Sequence, residues 1–497
     1  MDFPLQLFGL VIITLCFDFG DSFQTNPLGS DQQLTEELGS YVGDGVFGYN
    51  QLLLTWCQKQ HPDNVSLDLS ELGIKKLPEN FISSQHVTCL DLQNNEFSNT
   101  VDFNIFQNQP NLLYLNLAKN NINLRNLLNF TSHEKIKTLV LDNLITYEKN
   151  QYLKKYKKYS FNSYNYNNDY DDNNNDYDYN NNNNNNYDDN NNNDIIDLLL
   201  PNLENLSLRN LNPNQEIKFP LFDFTLSKLT HLFLSNNKIR EINEQFFKRF
   251  PATLTHLFVE KCSLTSYSAS MNKTKSLISL SMDDNKFSCS NGGCLDFENH
   301  SELKYLSLAN CEIISLSHNT FLSNLKLVYL DLSGNQIQQL SERTFLKTPA
   351  LESLNLNDNQ LWKIPNLHSL INLKKLYVKN NQITNLDQDS FSSLENLQIL
   401  SLSKNNIHSI DDSAFDNLLN LKVLDLSDNK INYFDYRPAI NLEYLILTNN
   451  LISSMENIKL GNTTLKYLVL KNNPIKSLKP KDLKFLLDDT TIVLGNS

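Results

Sequence analysis

This 497-residue sequence has no apolar run long enough to cross a bilayer: residues 3–17 are too short and no later stretch reaches the length, so no membrane span is expected. It also lacks H-E-x-x-H, G-x-S-x-G, a phosphate-loop lysine motif and a C-x-x-C pair, which removes the usual anchors of metal, acyl-transfer and nucleotide chemistry. His133-Glu134 has no second histidine at ligand spacing. Gly43-Asp44-Gly45-Val46-Phe47-Gly48 fits G-x-G-x-x-G, but no strand precedes it and no β-α-β unit surrounds it, so a turn-rich cap is the better reading. No catalytic residue and no cofactor are therefore expected. Positive charge is in deficit: the net charge is −14, of which eight charges are Asp within residues 162–194, leaving about −6 elsewhere. A mildly acidic surface argues against nucleic acid as a partner.

What is present is a repeat. The pattern L-x-x-L-x-L-x-x-N-x-[LIF] reads through Leu112-Leu115-Leu117-Asn120-Ile122, Leu327-Leu330-Leu332-Asn335-Ile337 and Leu421-Leu424-Leu426-Asn429-Ile431. Counted by first position, sixteen copies start at Asn64, Val87, Leu112, Ile136, Leu203, Leu229, Leu254, Leu277, Leu303, Leu327, Leu351, Leu373, Leu397, Leu421, Leu442 and Leu465. The steps are 21 to 26 residues, with one of 67.

Each copy supplies one short x-L-x-L strand whose leucines point to one face and their neighbours to the other. One coil cannot bury its apolar face alone, so the copies must stack into a parallel sheet over a continuous core. At about 4.8 Å per strand, sixteen strands run roughly 70–75 Å. The ninth-position asparagines, from Asn95 to Asn473, fall in the turn leaving the strand, where a buried amide can stitch coil to coil. Cys262 and Cys311 occupy that same position and are expected to be buried thiols. A Phe recurs eighteen residues after the first position, at Phe247, Phe321, Phe345, Phe391 and Phe415, which stacks a second apolar spine on the opposite side.

These residues resemble the leucine-rich-repeat superfamily over about residues 64–478, and most closely its "typical" 24-residue extracellular subclass. That subclass includes Toll-like receptor ectodomains, Slit-type guidance proteins and secreted binding proteins. The resemblance implies an α/β-type solenoid, a horseshoe whose concave face is a parallel sheet and the usual ligand platform. Extracellular relatives often carry cysteine clusters in both caps; this sequence lacks the N-terminal set and has no cysteine after Cys311.

Residues 1–22 read as a secretory signal, with Gly20 and Ser22 as small residues at the cleavage site, although no Lys or Arg precedes the apolar run. Residues 23–63 form an N-terminal cap with a short helix at Gln32–Leu38, and residues 479–497 a C-terminal cap or tail. In the tail Leu483, Phe485, Leu486 and Leu487 are placed to cover the last coil. The 67-residue step holds an insert at about 150–196; its centre, Asn162–Asp194, contains 18 Asn, 8 Asp and 6 Tyr, and is expected to be disordered.

Cys289 and Cys294 bracket Ser-Asn-Gly-Gly at a spacing compatible with a small disulfide loop, and Cys57 could pair with Cys89. The sequons Asn64, Asn129, Asn272, Asn299 and Asn462 are candidate glycan acceptors, whereas the sequon at Asn205 falls on a strand. On the exposed side of the strands, His231-Leu232-Phe233 and His256-Leu257-Phe258 stack two imidazoles and two phenyl rings in adjacent coils, and Tyr305 and Tyr329 extend the band. Exposed aromatics on a rigid face are typical anchors for a protein partner; inter-coil stacking for its own sake is the alternative. Histidines there would make the contact pH-sensitive between about pH 6 and 7. Tyr444-Ile446 with Tyr467-Val469 form a second apolar strip, explained equally by capping by the tail or by a homodimer, and Lys374-Lys375-Tyr377-Lys379 a basic patch that reads as a solvated face, with an acidic protein or sulfated glycan as the alternative.

The expected function is a secreted, non-enzymatic binder of an extracellular or cell-surface protein. An intracellular scaffold or enzyme regulator, and a self-associating matrix component, are the alternatives.

Overall fold

In the computed structural model the described residues are 57, 65–77, 84, 86–98, 103–123, 133–144, 196–197, 200–211, 222–223, 228–247, 250–268, 275–288, 293–437, 441–461, 464–476, 486 and 490–495. The readings placed on residues 1–56 and on Asn162–Asp194 lie outside this set, as do Leu483, Phe485 and Leu487 of the tail.

The sixteen copies give sixteen parallel strands in one sheet, paired coil to coil at the same motif position apart from a register shift after Val65 in the first pair. Leu280, Leu306, Leu330, Leu354, Leu376, Leu400 and Leu424 are consecutive register partners. Their side chains are excluded from water and form one continuous core from Val87 to Leu470. A seventeenth strand, Thr491–Val493, pairs with Tyr467–Val469. The tail therefore closes the solenoid by extending the sheet, while Leu486 packs half-buried against the core.

On the opposite side, two- and three-residue parallel strands link neighbouring coils, such as Glu241–Ile242 with Ser266–Ser268 and Phe434–Tyr436 with Ile458–Leu460. The phenylalanine spine forms as the spacing requires: Phe247, Phe321, Phe345, Phe391 and Phe415 are all buried. Phe391 stacks on Phe415 with ring centroids 5.9 Å apart. Among the described residues, α-helix is found at Glu244–Phe247 and at Cys57.

The ninth-position amides account for the turn. Asn335 donates from Nδ2 to the carbonyls of Leu308 and Leu332 at 2.8 and 2.9 Å, and its Oδ1 accepts the backbone N–H groups of Cys311 and Ile313, both at 3.0 Å. Asn285 repeats this pattern in full, and Asn405 and Asn429 repeat both donated bonds while each accepts one backbone N–H, from Ile383 and Ile407. Where cysteine replaces asparagine, the thiol of Cys311 donates to Met282, and the N–H of Phe287 turns to the Cys311 backbone carbonyl at 2.8 Å. Cys262 and Cys311 are buried free thiols, as expected; burial pushes the Cys262 pKa up to about 12 and that of Cys311 up as well. The residue before each asparagine has positive φ: Asn94, Lys119, Asn236, Asp358, Lys404 and Asn449 all lie between 53° and 61°.

The long step does not break the sheet. Thr138–Val140 pairs directly with Asn205–Ser207, residue for residue. Asp142 braces that junction by accepting from Arg209 Nε and Nη2 at 2.9 and 2.7 Å, and from the Arg209 backbone N–H at 2.8 Å.

Candidate ligand-binding face

Alternation along each strand sends the third and fifth motif positions to the face of the sheet opposite the leucines, here called the inner wall. Its side chains form apolar clusters separate from the leucine core. Three zones differ in chemistry.

The first covers coils two to four. Cys57 and Cys89 are joined by a disulfide, so the pairing left open from sequence is present. Cys89 is a third-position residue in register with Tyr114, and Cys57, Cys89, Tyr114, Ala118 and Val140 form one buried cluster. Burial also pushes the Tyr114 phenol well above its ordinary pKa.

The second zone holds the expected aromatic band. His231 and His256 are register partners, as are Phe233 and Phe258. The phenyl centroids lie 4.7 Å apart. Thr230 and Thr255 hydroxyls each lie 2.8 Å from the neighbouring imidazole Nδ1. Two expectations need correction. The phenyl rings are not exposed: Phe233 and Phe258 retain 2% and 3% of their surface. The histidines do not titrate between pH 6 and 7. Desolvation lowers the His256 pKa to about 4, and desolvation together with the facing imidazole holds His231 well below its ordinary value.

Tyr305 and Tyr329 are register partners and half-buried. Beside them lie Asp283 and Asp331, both buried and both with pKa raised chiefly by desolvation. Tyr329 donates to Asp331 at 3.1 Å, Asn355 donates to it at 2.9 Å, and Asp283 accepts from the Ala309 N–H at 2.8 Å.

The third zone is the second apolar strip, and it is longer than Tyr444 and Tyr467 alone. Ile399, Val423 and Tyr444 are buried together, with Tyr377 and Tyr467 half-buried against them. The Tyr444 and Tyr467 rings stack at 5.2 Å. Ile399 and Val423 were readable as third-position residues of consecutive coils; their scatter between polar neighbours hid the strip. Of the basic patch, Lys374 pairs with Glu352 at 2.9 Å, while Lys375 is exposed at the strip's edge.

Elsewhere, Cys294 is disulfide-bonded, and Cys289 lies outside the described residues. Asn64, Asn129, Asn272 and Asn462 also lie outside them, and Asn299 is half-buried on a return limb. Asn205 is buried and donates its amide to Thr138 Oγ1 at 3.0 Å, which leaves no room for a glycan on that nitrogen. Among the described residues, no group of three or more His, Cys, Asp or Glu is arranged to hold a metal ion. None of their helices is long and apolar enough to cross a membrane.

The comparisons with known proteins agree with this geometry. The family model "Leucine rich repeat" matches residues 301–361 and 371–431, and again 228–250 and 83–100; "Leucine Rich repeats (2 copies)" matches 349–392. The chain is a leucine-rich-repeat protein. Among solved structures it resembles Toll ectodomains: a chain of the Drosophila Toll–Spatzle complex is 18% identical over 87% of this chain and 54% of that one, with a TM-score of 0.63. The glycosylated form of that complex gives 17% identity, 93% and 56% coverage and a TM-score of 0.63. This chain thus spans about half the length of the Toll chain it matches. A leucine-rich-repeat protein of Leptospira interrogans is 22% identical over 88% of this chain and 97% of that one, with a TM-score of 0.55. At these identities the likeness is one of fold. No curated protein sequence matches the chain.

Proposed function

We propose that this chain is a secreted, non-catalytic recognition protein that holds an extracellular or cell-surface protein on its concave face. The observation that carries the reading is the inner wall itself. It bears aromatic and apolar columns that the leucine core does not use, on a sheet fixed by backbone hydrogen bonds between coils and, in most coils, by a ninth-position asparagine. A surface built this way loses little ordering entropy on binding. The similar Toll chain is found in a complex with another protein, Spatzle.

In this reading Tyr305 and Tyr329, with the half-buried edges of His231 and His256, make the contact, and Phe233 and Phe258 form the floor that sets their position. Glycans at Asn64, Asn129, Asn272, Asn299 and Asn462 accompany secretion.

The test is a crosslinking pull-down with the secreted product, repeated with Tyr305→Ala/Tyr329→Ala and with Phe233→Ala/Phe258→Ala. Affinity is expected to drop at least ~30-fold for the tyrosine pair, the scale of an interface hot spot, with circular dichroism unchanged. Unaltered capture by both variants removes the named site. Retention of Met1–Phe17 in the purified native protein contradicts secretion, and a concentration-dependent sedimentation coefficient would favour self-association.

A further inference from the structure

We propose that Glu260, Asp283 and Ser281 form a seat on the inner wall for one cationic side chain of the partner, an arginine or a lysine. The seat rests on the recognition reading and specifies what the partner must present at one point of the contact.

The first observation is placement. Coils seven and eight stay in register past their strands: the N–H groups of Val259 and Lys261 donate to the carbonyls of Ser281 and Asp283, both at 2.9 Å. Glu260 and Asp283 are therefore side by side at the seventh motif position, on backbones about 4.8 Å apart. Both turn to the inner wall. Glu260 accepts from the Ser235 hydroxyl of coil six. Asp283 accepts from the Ser307 hydroxyl of coil nine at 2.5 Å and from the Ala309 N–H at 2.8 Å. A carboxylate has about four acceptor sites, so both keep capacity for incoming N–H donors.

The second is charge. Among the described residues no Lys or Arg forms a salt bridge with Glu260 or Asp283. Arg209, whose charge reaches Glu260, is held by Asp142 at 2.7 Å, and Lys261 lies 3.9 Å from Asp284. Burial, with the charges of Asp331 and Glu260 added, pushes the Asp283 carboxyl well above its ordinary pKa, and burial raises that of Glu260. Like charges held together away from water are stabilised by an arriving cation.

The third is Ser281. It stands at the fifth position of coil eight, in register with Phe258 and Ser307, and keeps 5% of its surface. It lies close enough to Glu260 to favour the charged carboxylate, yet its hydroxyl closes no hydrogen bond. Leaving a buried hydroxyl unmatched is costly. An N–H group arriving between Glu260 and Asp283 supplies the missing partner.

The chemistry of the seat selects an organic cation. Two carboxylates and a hydroxyl fall short of the roughly six to eight oxygens that Ca²⁺ takes. Among the described residues no group of three or more His, Cys, Asp or Glu stands ready for another metal. Ammonium and guanidinium groups bring the N–H donors that these acceptors match. Glu260 is half-buried, so the seat opens at its carboxylate. Ser279 of coil eight is the register partner of Tyr305, which sets the contact tyrosine one coil away.

Fluorescence anisotropy with labelled tri-arginine and tri-lysine peptides tests this on the full chain, in about 0.15 M salt to screen loose surface pairing. Binding of at least one peptide is expected, with tri-citrulline unbound. Glu260→Gln/Asp283→Asn is expected to weaken binding about tenfold or more. Glu342→Gln/Asp389→Asn, on exposed return limbs, should leave it within about twofold. Neither basic peptide bound, tri-citrulline bound equally, or equal affinity in the native chain and Glu260→Gln/Asp283→Asn overturns the proposal. Should that variant lose its native circular dichroism, Ser281→Ala decides: affinity about threefold weaker or more upholds the seat, and a smaller change overturns it. The peptides replace any natural partner, so this failure is distinct from failure of the recognition reading, which the tyrosine variants test by capture.

Discussion

The imidazoles of His231 and His256 lie face to face across adjacent coils, with centroids 4.0 Å apart and planes within 10°. Two rings at that distance cannot both be protonated without strong repulsion, and burial already disfavours the charge on each.

Acid therefore works against this pair. Their folded pKa values are depressed below the unfolded value, so the unfolded chain binds more protons through the window between about 6.5 and 4. Stability from the pair is complete above pH 6.5 and is lost as the pH falls towards 4. For His256 alone the loss between pH 7 and pH 5 is about 2 kcal/mol. Asp283 and Asp331 act in the opposite sense, since their raised pKa values favour the fold in acid. Urea titrations at pH 7 and pH 5 are expected to show a smaller acid loss in His231→Phe/His256→Phe than in the native chain.

Removal of one ladder amide should be costly. Asn335→Ala strips partners from the N–H groups of Cys311 and Ile313 and the carbonyls of Leu308 and Leu332. Buried groups left unsatisfied cost ~1–3 kcal/mol each, so a loss of about 3 kcal/mol or more is expected. Asn372, whose exposed amide reaches the Pro349 carbonyl at 2.9 Å, is the comparison; its alanine variant should lose less than ~1 kcal/mol by denaturant unfolding.

The eighth motif position tests backbone handedness. Lys404 sits at φ 53°, where a β-branched side chain is strained. Lys404→Val should lower stability by about 1–2 kcal/mol, and Lys404→Gly should leave it within ~0.5 kcal/mol. Gly334 is the stricter case: an added Cβ would stand 1.9 Å from Asn310 Oδ1, so Gly334→Ala should be worse than its φ of 66° alone implies. Thermal melting of the three variants decides.

Deletion of residues 150–194 should leave the sheet intact, because the strands on either side already pair in register. A melting temperature within about 3 °C of the native chain is expected. Asp142→Ala, which removes three hydrogen bonds that Arg209 donates, should cost about 2–4 kcal/mol.

Much of this was written in the sequence, and the reason is physical. The leucine spacing set which side chains enter the core, and Asn335 or Phe391 followed from the same count. Depth was not legible: alternation says that Phe233 points to the inner face, but not that it keeps only 2% of its surface there, which depends on three-dimensional packing. The positive φ at Asn94 or Lys404 has a signal in the sequence, an eighth-position column rich in Asn, Asp and Gly. The two-residue strands of the outer side, such as Asn385–Leu386, are too short to show any alternation. Thr491–Val493 is β-branched and strand-like, but it lies past the motif and carries no register.

Neighbouring coils on either side of the 67-residue step hold each other through the lattice of the sheet and not through the peptide backbone that joins them. A single cut in the intervening polypeptide would accordingly yield two fragments that travel as one particle. Split halves of this molecule, made apart and mixed, have a ready-made seam at which to reassemble.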